Sequence, residues 1–222
     1  MCPHPIGGYK VDGVKVPSVT TILGRFKDSG GLLYWAFEQG KACERGEISK
    51  LYDKRDEAAE SGTLAHSMVE AHNNGTELPD TSGYPDEVVK QAKQGYENYL
   101  NWEASNLIQI THQEVELVSK AHKYGGCIDA IGVDPRGNKC LIDWKTSNNI
   151  YQDYLVQLAA YAMLWNENNP GDRIWGGFHL CRFSKEHADF AHHYWSELDD
   201  AEELFLLYRR AYDLDRSLKR RA

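Results

Sequence analysis

The chain has 222 residues, of which 41% are hydrophobic, so it is long and apolar enough to bury a substantial core as one domain. Its formal net charge of −8 excludes a protein that coats nucleic acid by general charge, although a basic groove on an acidic protein can still attract DNA. It has no apolar run of about 18 residues, which argues against a membrane-spanning helix.

The cysteines and the opening residues bear on the cell compartment. Five widely spaced cysteines, an odd number, favour a reducing compartment over a disulfide-rich scaffold. The opening sequence MCPHPIGGYK has neither the apolar core of a signal peptide nor the arginine-rich pattern of a transit peptide. We therefore expect a cytoplasmic protein with no membrane partner.

The first half of the chain is predicted to be mostly helical. Residues 9–16 form a small hairpin that turns at Asp12 and Gly13, and Ser18 or Thr20 caps the helix that follows Pro17. Three further helices are predicted over 32–41, 54–73 and 84–106. The last of these is expected to bury Val88, Tyr96, Tyr99 and Leu100.

The second half is predicted to alternate between strands and helices. The predicted strands cover 110–118, 126–133, 139–145, 174–182 and 189–195; the helices cover 150–166 and the C-terminal part, where Ser196 is the expected cap. Helices, three strands, a helix, two strands and a helix predict an α/β fold, with a mixed central sheet flanked by helices. We expect a single domain over 1–222, with a mostly helical part at 1–108 and an αβ core at 109–222.

The hairpin of residues 126–145 is the most informative stretch. If Arg136 is the centre of its turn, Asp129 lies directly opposite Asp143, with Cβ atoms about 4.5–5.5 Å apart. Side chains alternate along a strand, so Lys145 lies on the same face as Asp143. The sequence thus predicts two carboxylates and one ammonium on one face of the hairpin.

This grouping indicates a candidate metal site. Two close carboxylates repel each other, and a nearby lysine relieves the repulsion only in part. A divalent cation relieves it more fully, and Mg²⁺ prefers oxygen ligands. A lysine beside such a cation can orient water or stabilise charge on a phosphate. The alternative is a half-exposed hairpin with a cross-strand salt bridge.

Five short motifs occur in a suggestive order: His66, Glu114, Gly126-Cys127-Ile128-Asp129, Asp143-Trp144-Lys145 and Gln157-Leu158-Ala159-Ala160-Tyr161. Together they resemble the PD-(D/E)XK nuclease superfamily, in its RecB-like exonuclease branch. The segments PSVTTIL at 17–23 and IDWKTS at 142–147 are similar to parts of the mitochondrial genome maintenance exonucleases. The resemblance covers roughly residues 16–182 and implies a restriction-endonuclease-like core.

The resemblance also implies roles for individual residues. His66, Glu114, Asp129 and Asp143 correspond to ligands of one or two Mg²⁺ or Mn²⁺ ions. Lys145 corresponds to the catalytic lysine. Gln157 and Tyr161, four residues apart on one helix face, correspond to the pair that orients this lysine and the DNA backbone. Glu116 is the alternative to Glu114, because both have the same parity on the strand.

The cysteines depart from some relatives. The CRISPR-associated members of this branch hold an iron–sulfur cluster with four cysteines, one early and three late, whereas only Cys181 follows the helix that carries Gln157. No iron–sulfur cluster is therefore expected. Cys127 and Cys140 are expected to face opposite sides of the hairpin, and no Cys-x-x-Cys pair occurs, so a zinc site is not expected either.

Two stretches are rich in basic residues. The N-terminal helices combine them with aromatic residues, a pattern that suits single-stranded DNA, and Arg25, Tyr34 and Trp35 are the candidate DNA-binding residues. A solvated face with buried rings explains the same pattern. The basic residues of 209–221 suit the C-terminus of a helix and are not interpreted as a binding site.

The function implied by the resemblance is a metal-dependent DNA exonuclease. We expect it to hydrolyse phosphodiester bonds from free ends of single-stranded DNA, in recombination, repair or replication, with partner proteins of those processes. A phage-encoded enzyme in an infected bacterial cell would suit its compact form. The alternatives are a structure-specific endonuclease of the same fold and a nucleic-acid-binding accessory subunit that does not cleave.

Overall fold

The computed structural model describes residues 5–27, 30–47, 53–147, 149–183 and 190–221. Within these ranges the helices are α1 (Val19–Phe26), α2 (Gly30–Glu44), α3 (Asp53–Asn74), α4 (Asp86–Asn106), α5 (Gln152–Asn168) and α6 (Asp199–Lys219). The strands are β1 (Lys10–Val11), β2 (Val14–Lys15), β3 (Gln109–Ser119), β4 (Tyr124–Val133), β5 (Lys139–Thr146), β6 (Ile174–Phe183) and β7 (Phe190–Trp195). The predicted order of helices and strands is confirmed.

The described part of the chain forms an α/β fold around a five-stranded mixed sheet, in the order β3-β4-β5-β6-β7. β3, β4 and β5 are antiparallel neighbours, and β6 and β7 are antiparallel as well. β5 and β6 are parallel, so the chain must cross over between them, and α5 makes this crossover. The predicted fold class is confirmed.

The turn of the central hairpin explains its register. The Asp134 carboxylate accepts hydrogen bonds from the backbone N–H groups of Arg136 (2.9 Å) and Asn138 (2.8 Å). The turn places Gly137 at a φ of +87°, which glycine adopts without strain because it has no Cβ. Ala130 pairs with Ile142 on the opposite strand, which is the predicted register.

Each face of the sheet carries its own layer of helices. α1, α5 and α6 cover one face, with the buried core residues Ile131, Leu141, Leu158, Leu180 and Phe205 among others. On the other face, α3 and α4 pack over a core that includes Val69, Tyr99, Trp102, Ile142 and Trp144. The central hairpin is therefore sandwiched between two hydrophobic layers.

The regular alternation of side chains is interrupted at matched positions on β3 and β4. Ile128 and Ile131, three residues apart, both pack on the α5 side, although regular alternation would place them on opposite faces. On β3, Glu114 has a φ of +52°, in the left-handed region. Gln113 and Val115 pair with Ala130 and Ile128, which places Glu114 opposite Asp129.

This interruption corrects the prediction for the cysteines. Gly126 faces α5, because a Cβ there would lie 2.8 Å from Cε1 of Tyr161, so Cys127 faces the other side. Cys140 packs on that other side too, beside Ala130. The two therefore face the same side of the sheet, not opposite sides. Cys127 is disulfide-bonded, whereas Cys140 and Cys181 are free and buried.

The N-terminal elements follow the prediction closely. β1 and β2 pair across Asp12 and Gly13, whose φ angles are both positive (51° and 76°), and the Ser18 hydroxyl caps α1 by accepting from the backbone N–H of Thr21.

The predicted cap of α6 is wrong. Leu198, not Ser196, is the N-cap residue, and it makes no side-chain capping bond.

Two further predictions can be compared with the structure. Val88 and Tyr99 are buried on α4 as expected, Tyr96 and Leu100 are partly buried, and the buried Trp102 was not anticipated. The expected start of the last strand, at residue 189, lies outside the described residues. No helix in the described ranges combines the length and apolar character needed to cross a membrane.

Candidate active site

Asp143 and Lys145 form a buried ion pair on β5. The Lys145 ammonium lies 2.5 Å from Oδ2 of Asp143, and their side chains are 16% and 1% exposed. Among the described residues, neither Asp143 oxygen has another hydrogen-bond donor. Burial raises the pKa of Asp143 well above its usual range; Lys145 opposes this rise and Asp129 adds to it. A buried carboxylate with a single cationic neighbour is a strong position for a further cation.

Asp129 lies where the ladder between β4 and β5 ends. Ala130 and Ile142 form the last pair at that end, and beyond them Oδ2 of Asp129 accepts a hydrogen bond from the backbone N–H of Trp144 at 3.1 Å. A side-chain carboxylate thus takes the place of a backbone acceptor between the two strands. This bond fixes the Asp129 carboxylate beside Asp143.

Glu114 joins this group from β3. It is half-buried, and burial raises its pKa well above the usual range, with the carboxylates of Asp129 and Glu70 adding to the rise. Glu116 is exposed and lies opposite Cys127, so the register favours Glu114 as the neighbour of Asp129. Sequence reasoning missed Glu70, which lies four residues after His66 on α3 and therefore on the same helix face.

His66 is held near the carboxylates by the close packing of α3 on β5. A Cβ on Gly62, one turn before His66, would lie 2.5 Å from Oγ1 of Thr146. Burial lowers the pKa of His66 to about 4, although the Asp129 carboxylate opposes that shift. The imidazole is therefore neutral near pH 7, which is the form that binds metal ions.

α5 supplies the other side of the candidate site. Nε2 of Gln157 donates a hydrogen bond to Oη of Tyr161 at 2.8 Å. Burial raises the pKa of Tyr161 well above its usual value, and the carboxylates of Asp129 and Asp143 add to the rise. The Lys145 ammonium lies 5.4 Å from the ring centre of Tyr154. Sequence reasoning missed Tyr154, although it lies three and seven residues before Gln157 and Tyr161 on one helix face.

The three candidate DNA-binding residues of the N-terminal helices lie in different surroundings. The Arg25 guanidinium makes two hydrogen bonds to Asp215 on α6, at 2.9 and 3.0 Å. Tyr34 on α2 is 68% exposed, whereas Trp35 is half-buried on the same helix. Tyr34 is therefore available for stacking, and Arg25 belongs to the surface between α1 and α6.

The donors near Asp143 suit a hard divalent cation in kind. Glu114, Asp129 and Asp143 offer carboxylate oxygens, the ligands that Mg²⁺ and Mn²⁺ prefer, and His66 offers a neutral imidazole. In the part of the chain that is described, no three His, Cys, Asp or Glu side chains are close enough to form a ready metal site. The donor atoms thus match such an ion in chemical type rather than in ready-made geometry. A bound ion would stabilise the charged form of the buried Asp143 carboxylate most.

Comparisons with known proteins add little. No protein-family model and no curated protein matches the chain. Among solved structures it is similar to a "putative exonuclease" from Eubacterium rectale, with 14% identity and a TM-score of 0.42, over 66% of this chain and 64% of that one. The matched part is thus less than two thirds of that protein. It is also similar to SSO0001, with 18% identity and a TM-score of 0.32, over 64% of this chain and 70% of the other. Neither similarity is close enough to assign a function.

The fold and the site define this protein as an α/β protein with a buried carboxylate–lysine cluster. The cluster lies where the β4–β5 ladder of the central hairpin ends, beyond Ala130 and Ile142. The cluster receives side chains from β3, β4 and β5 and from the helices on both faces of the sheet.

Proposed function

We propose that the protein is a metal-dependent deoxyribonuclease that acts as an exonuclease on single-stranded DNA. The observation that carries this proposal is the buried Asp143–Lys145 pair, with Asp129 fixed beside it by the backbone of Trp144. A carboxylate pair and a lysine in this arrangement can combine a cation with a charged hydrogen-bond donor at one phosphate.

In this proposal His66, Glu114, Asp129 and Asp143 hold one or two Mg²⁺ or Mn²⁺ ions. When bound, the metal supplies polarisation of the scissile phosphate and lowers the pKa of a bound water. The carboxylates would hold that ion at the end of the β4–β5 ladder. Residues on α5 then line the side opposite His66.

Lys145 acts as a charged donor in this proposal. Burial alone would lower its pKa, but the carboxylates of Asp143 and Asp129 raise it, so the ammonium keeps its proton near neutral pH. It would therefore orient water by donating a hydrogen bond and offset the negative charge that grows on the phosphate, and it would not serve as a general base. The Tyr154 ring beneath the ammonium makes a cation–π contact with it, which also favours the charged form.

The exonuclease part of the proposal rests on the helices that flank the candidate site. α3 covers one side of the candidate site through His66, and α5 covers the other side through Gln157 and Tyr161. A strand that reaches carboxylates enclosed from both sides enters most easily from a free end. DNA is the substrate that the proposal names; a partner protein is not required by it.

The test compares linear and circular single-stranded DNA of the same sequence. With Mg²⁺ or Mn²⁺, linear DNA should be degraded to short products and circular DNA should survive, and EDTA should stop the reaction. Asp143→Asn is the matched inactive control. Rapid nicking of circles would replace the exonuclease with the structure-specific endonuclease, and DNA binding with no cleavage under any of these conditions would favour the accessory subunit.

A further inference from the structure

An open groove of about 850 Å³ lies between α1 and the C-terminal half of α6. Its charged lining residues are Lys15, Arg25, Arg216, Lys219 and Asp215. They come from three separate elements, since Lys15 belongs to β2, Arg25 to α1 and the others to α6. We call this feature the α1–α6 groove.

The charge of the α1–α6 groove is opposite to that of the whole protein. Four cations and one carboxylate give its lining a net charge of +3, whereas the chain carries −8. Arg216 and Lys219 are exposed, as is Lys15, so their charges face solvent. A basic groove on an acidic protein concentrates its attraction for a polyanion at one place.

Asp215 organises the cations of the groove. Its carboxylate binds the Arg25 guanidinium at 2.9 Å and the Lys219 ammonium at 3.3 Å. A single acid thus holds two cations at the seam between α1 and α6. The helix dipole explains a preference for basic residues at the end of α6, but it does not explain why Lys15 and Arg25 from other elements line the same groove.

α1 connects the groove to the candidate active site. The residue that follows α1, Lys27, pairs with Asp153 on α5 at 2.7 Å. Asp153 precedes Tyr154, whose ring lies beneath the Lys145 ammonium. An eight-residue helix is about 12 Å long, so the groove lies within a few nucleotides of the candidate site along an extended strand.

We propose that the α1–α6 groove binds the phosphate backbone of single-stranded DNA a few nucleotides from the bond that is cleaved. The proposal rests on the proposed function for the identity of the strand, but its binding can be measured without any cleavage. Lys15, Arg216 and Lys219 contact phosphates through charge, so the groove adds affinity without sequence preference.

The test compares two variants that each lose two exposed cations. The groove variant carries Arg216→Gln and Lys219→Gln, and the control variant carries Lys90→Gln and Lys93→Gln on α4. Binding of a fluorescein-labelled oligo(dT) of about 30 nucleotides is measured by anisotropy in EDTA, between 50 and 200 mM salt. Because each phosphate contact with a single strand contributes about 0.7 to the salt slope, the groove variant should lose about 1.4 from it. Wild type should therefore lose about sevenfold more affinity than the groove variant over this range.

The outcomes separate the groove from the proposed function. Equal salt slopes for the groove and control variants, or no binding by wild type, would overturn the proposal that the groove binds DNA, whether or not the protein cleaves DNA. A reduced slope for the groove variant alone supports the groove, even if wild type then fails to cleave with Mg²⁺ or Mn²⁺. Failure to cleave would overturn the proposed nuclease function, and the protein would then be a DNA-binding protein without nuclease activity.

Discussion

Replacing Gly62 with alanine should separate α3 from β5 and move His66 away from the candidate active site. A Cβ at this position would lie 2.5 Å from Oγ1 of Thr146 and 2.8 Å from its Cβ and Cγ2. Ordinary contact distances are about 3.5–4.0 Å, so one element must withdraw by about 1 Å. Thr146 directly follows Lys145, so this movement occurs beside the carboxylate–lysine cluster.

The expected loss of stability follows from two opposing terms. Alanine in a helix interior gains about 1 kcal/mol over glycine, because glycine loses more backbone freedom on folding. Overpacking a buried contact costs about 1–3 kcal/mol. Gly62→Ala should therefore lower the free energy of unfolding by up to about 2 kcal/mol. If the nuclease proposal holds, a displacement of about 1 Å should lower kcat by about 100-fold.

Gly40→Ala is the matched control. Gly40 lies in α2, and a Cβ there would meet nothing within 4 Å, so the same substitution should raise stability by about 1 kcal/mol. Urea denaturation without metal measures both variants. Thr146→Ala in the Gly62→Ala background should recover part of the loss, because it removes two of the three atoms in the clash.

The reasoning would be refuted if Gly62→Ala stabilised the protein as much as Gly40→Ala does. That result would mean that α3 and β5 are farther apart than the structure places them. Normal stability with a loss of activity would instead indicate that the packing adjusts while His66 is displaced.

Three further predictions concern the candidate active site and His179, a buried histidine on β6. Asp143→Ala and Lys145→Ala should both abolish cleavage, but calorimetric titration with Mn²⁺ should show weaker binding only for Asp143→Ala, since Lys145→Ala removes a repelling charge; equal losses would contradict the separate roles. Tyr161→Phe should lower kcat by about tenfold with little change in KM, because it removes only the hydroxyl that Gln157 contacts; a changed KM alone would indicate a binding role. Burial lowers the pKa of His179 to about 4, so the unfolded state binds more protons between pH 4 and 6.5, and stability falls as the pH drops through this window. His179→Gln should flatten that fall by roughly 1 kcal/mol per pH unit, measured as the free energy of unfolding in urea at pH 4.5 and 6; an unchanged slope would place the acid sensitivity elsewhere.

The central hairpin could be predicted because its information is local. Asp134 and Gly137 specify the turn, and the turn sets the register that brings Asp129 and Asp143 to the same level. The spacing of hydrophobic residues is local information too, so it also predicts the order of helices and strands. What the sequence could not provide is the interruption at Glu114 and Asp129, which depends on how two neighbouring strands accommodate each other.

The contacts between distant elements were also beyond the sequence. Periodicity indicates which face of a helix is buried but not which element packs against it. Glu70 and Tyr154 share helix faces with His66 and Gln157, but their contacts depend on how α3 and α5 pack on the sheet. The basic residues of α6 were attributed to the helix dipole for this reason. Only the packing of α1 against α6 brings Arg216 and Lys219 next to Lys15 and Arg25.

The unusual backbone at Glu114 also affects how the protein behaves at high concentration. β3 is an edge strand of the sheet, and an edge strand exposes a row of backbone groups that can pair with a second chain. A left-handed residue in mid-strand bends that row, which disfavours regular pairing with a second strand. A β-branched apolar residue disfavours the left-handed region, so placing one at position 114 would favour a straighter edge strand that pairs more readily with a second chain.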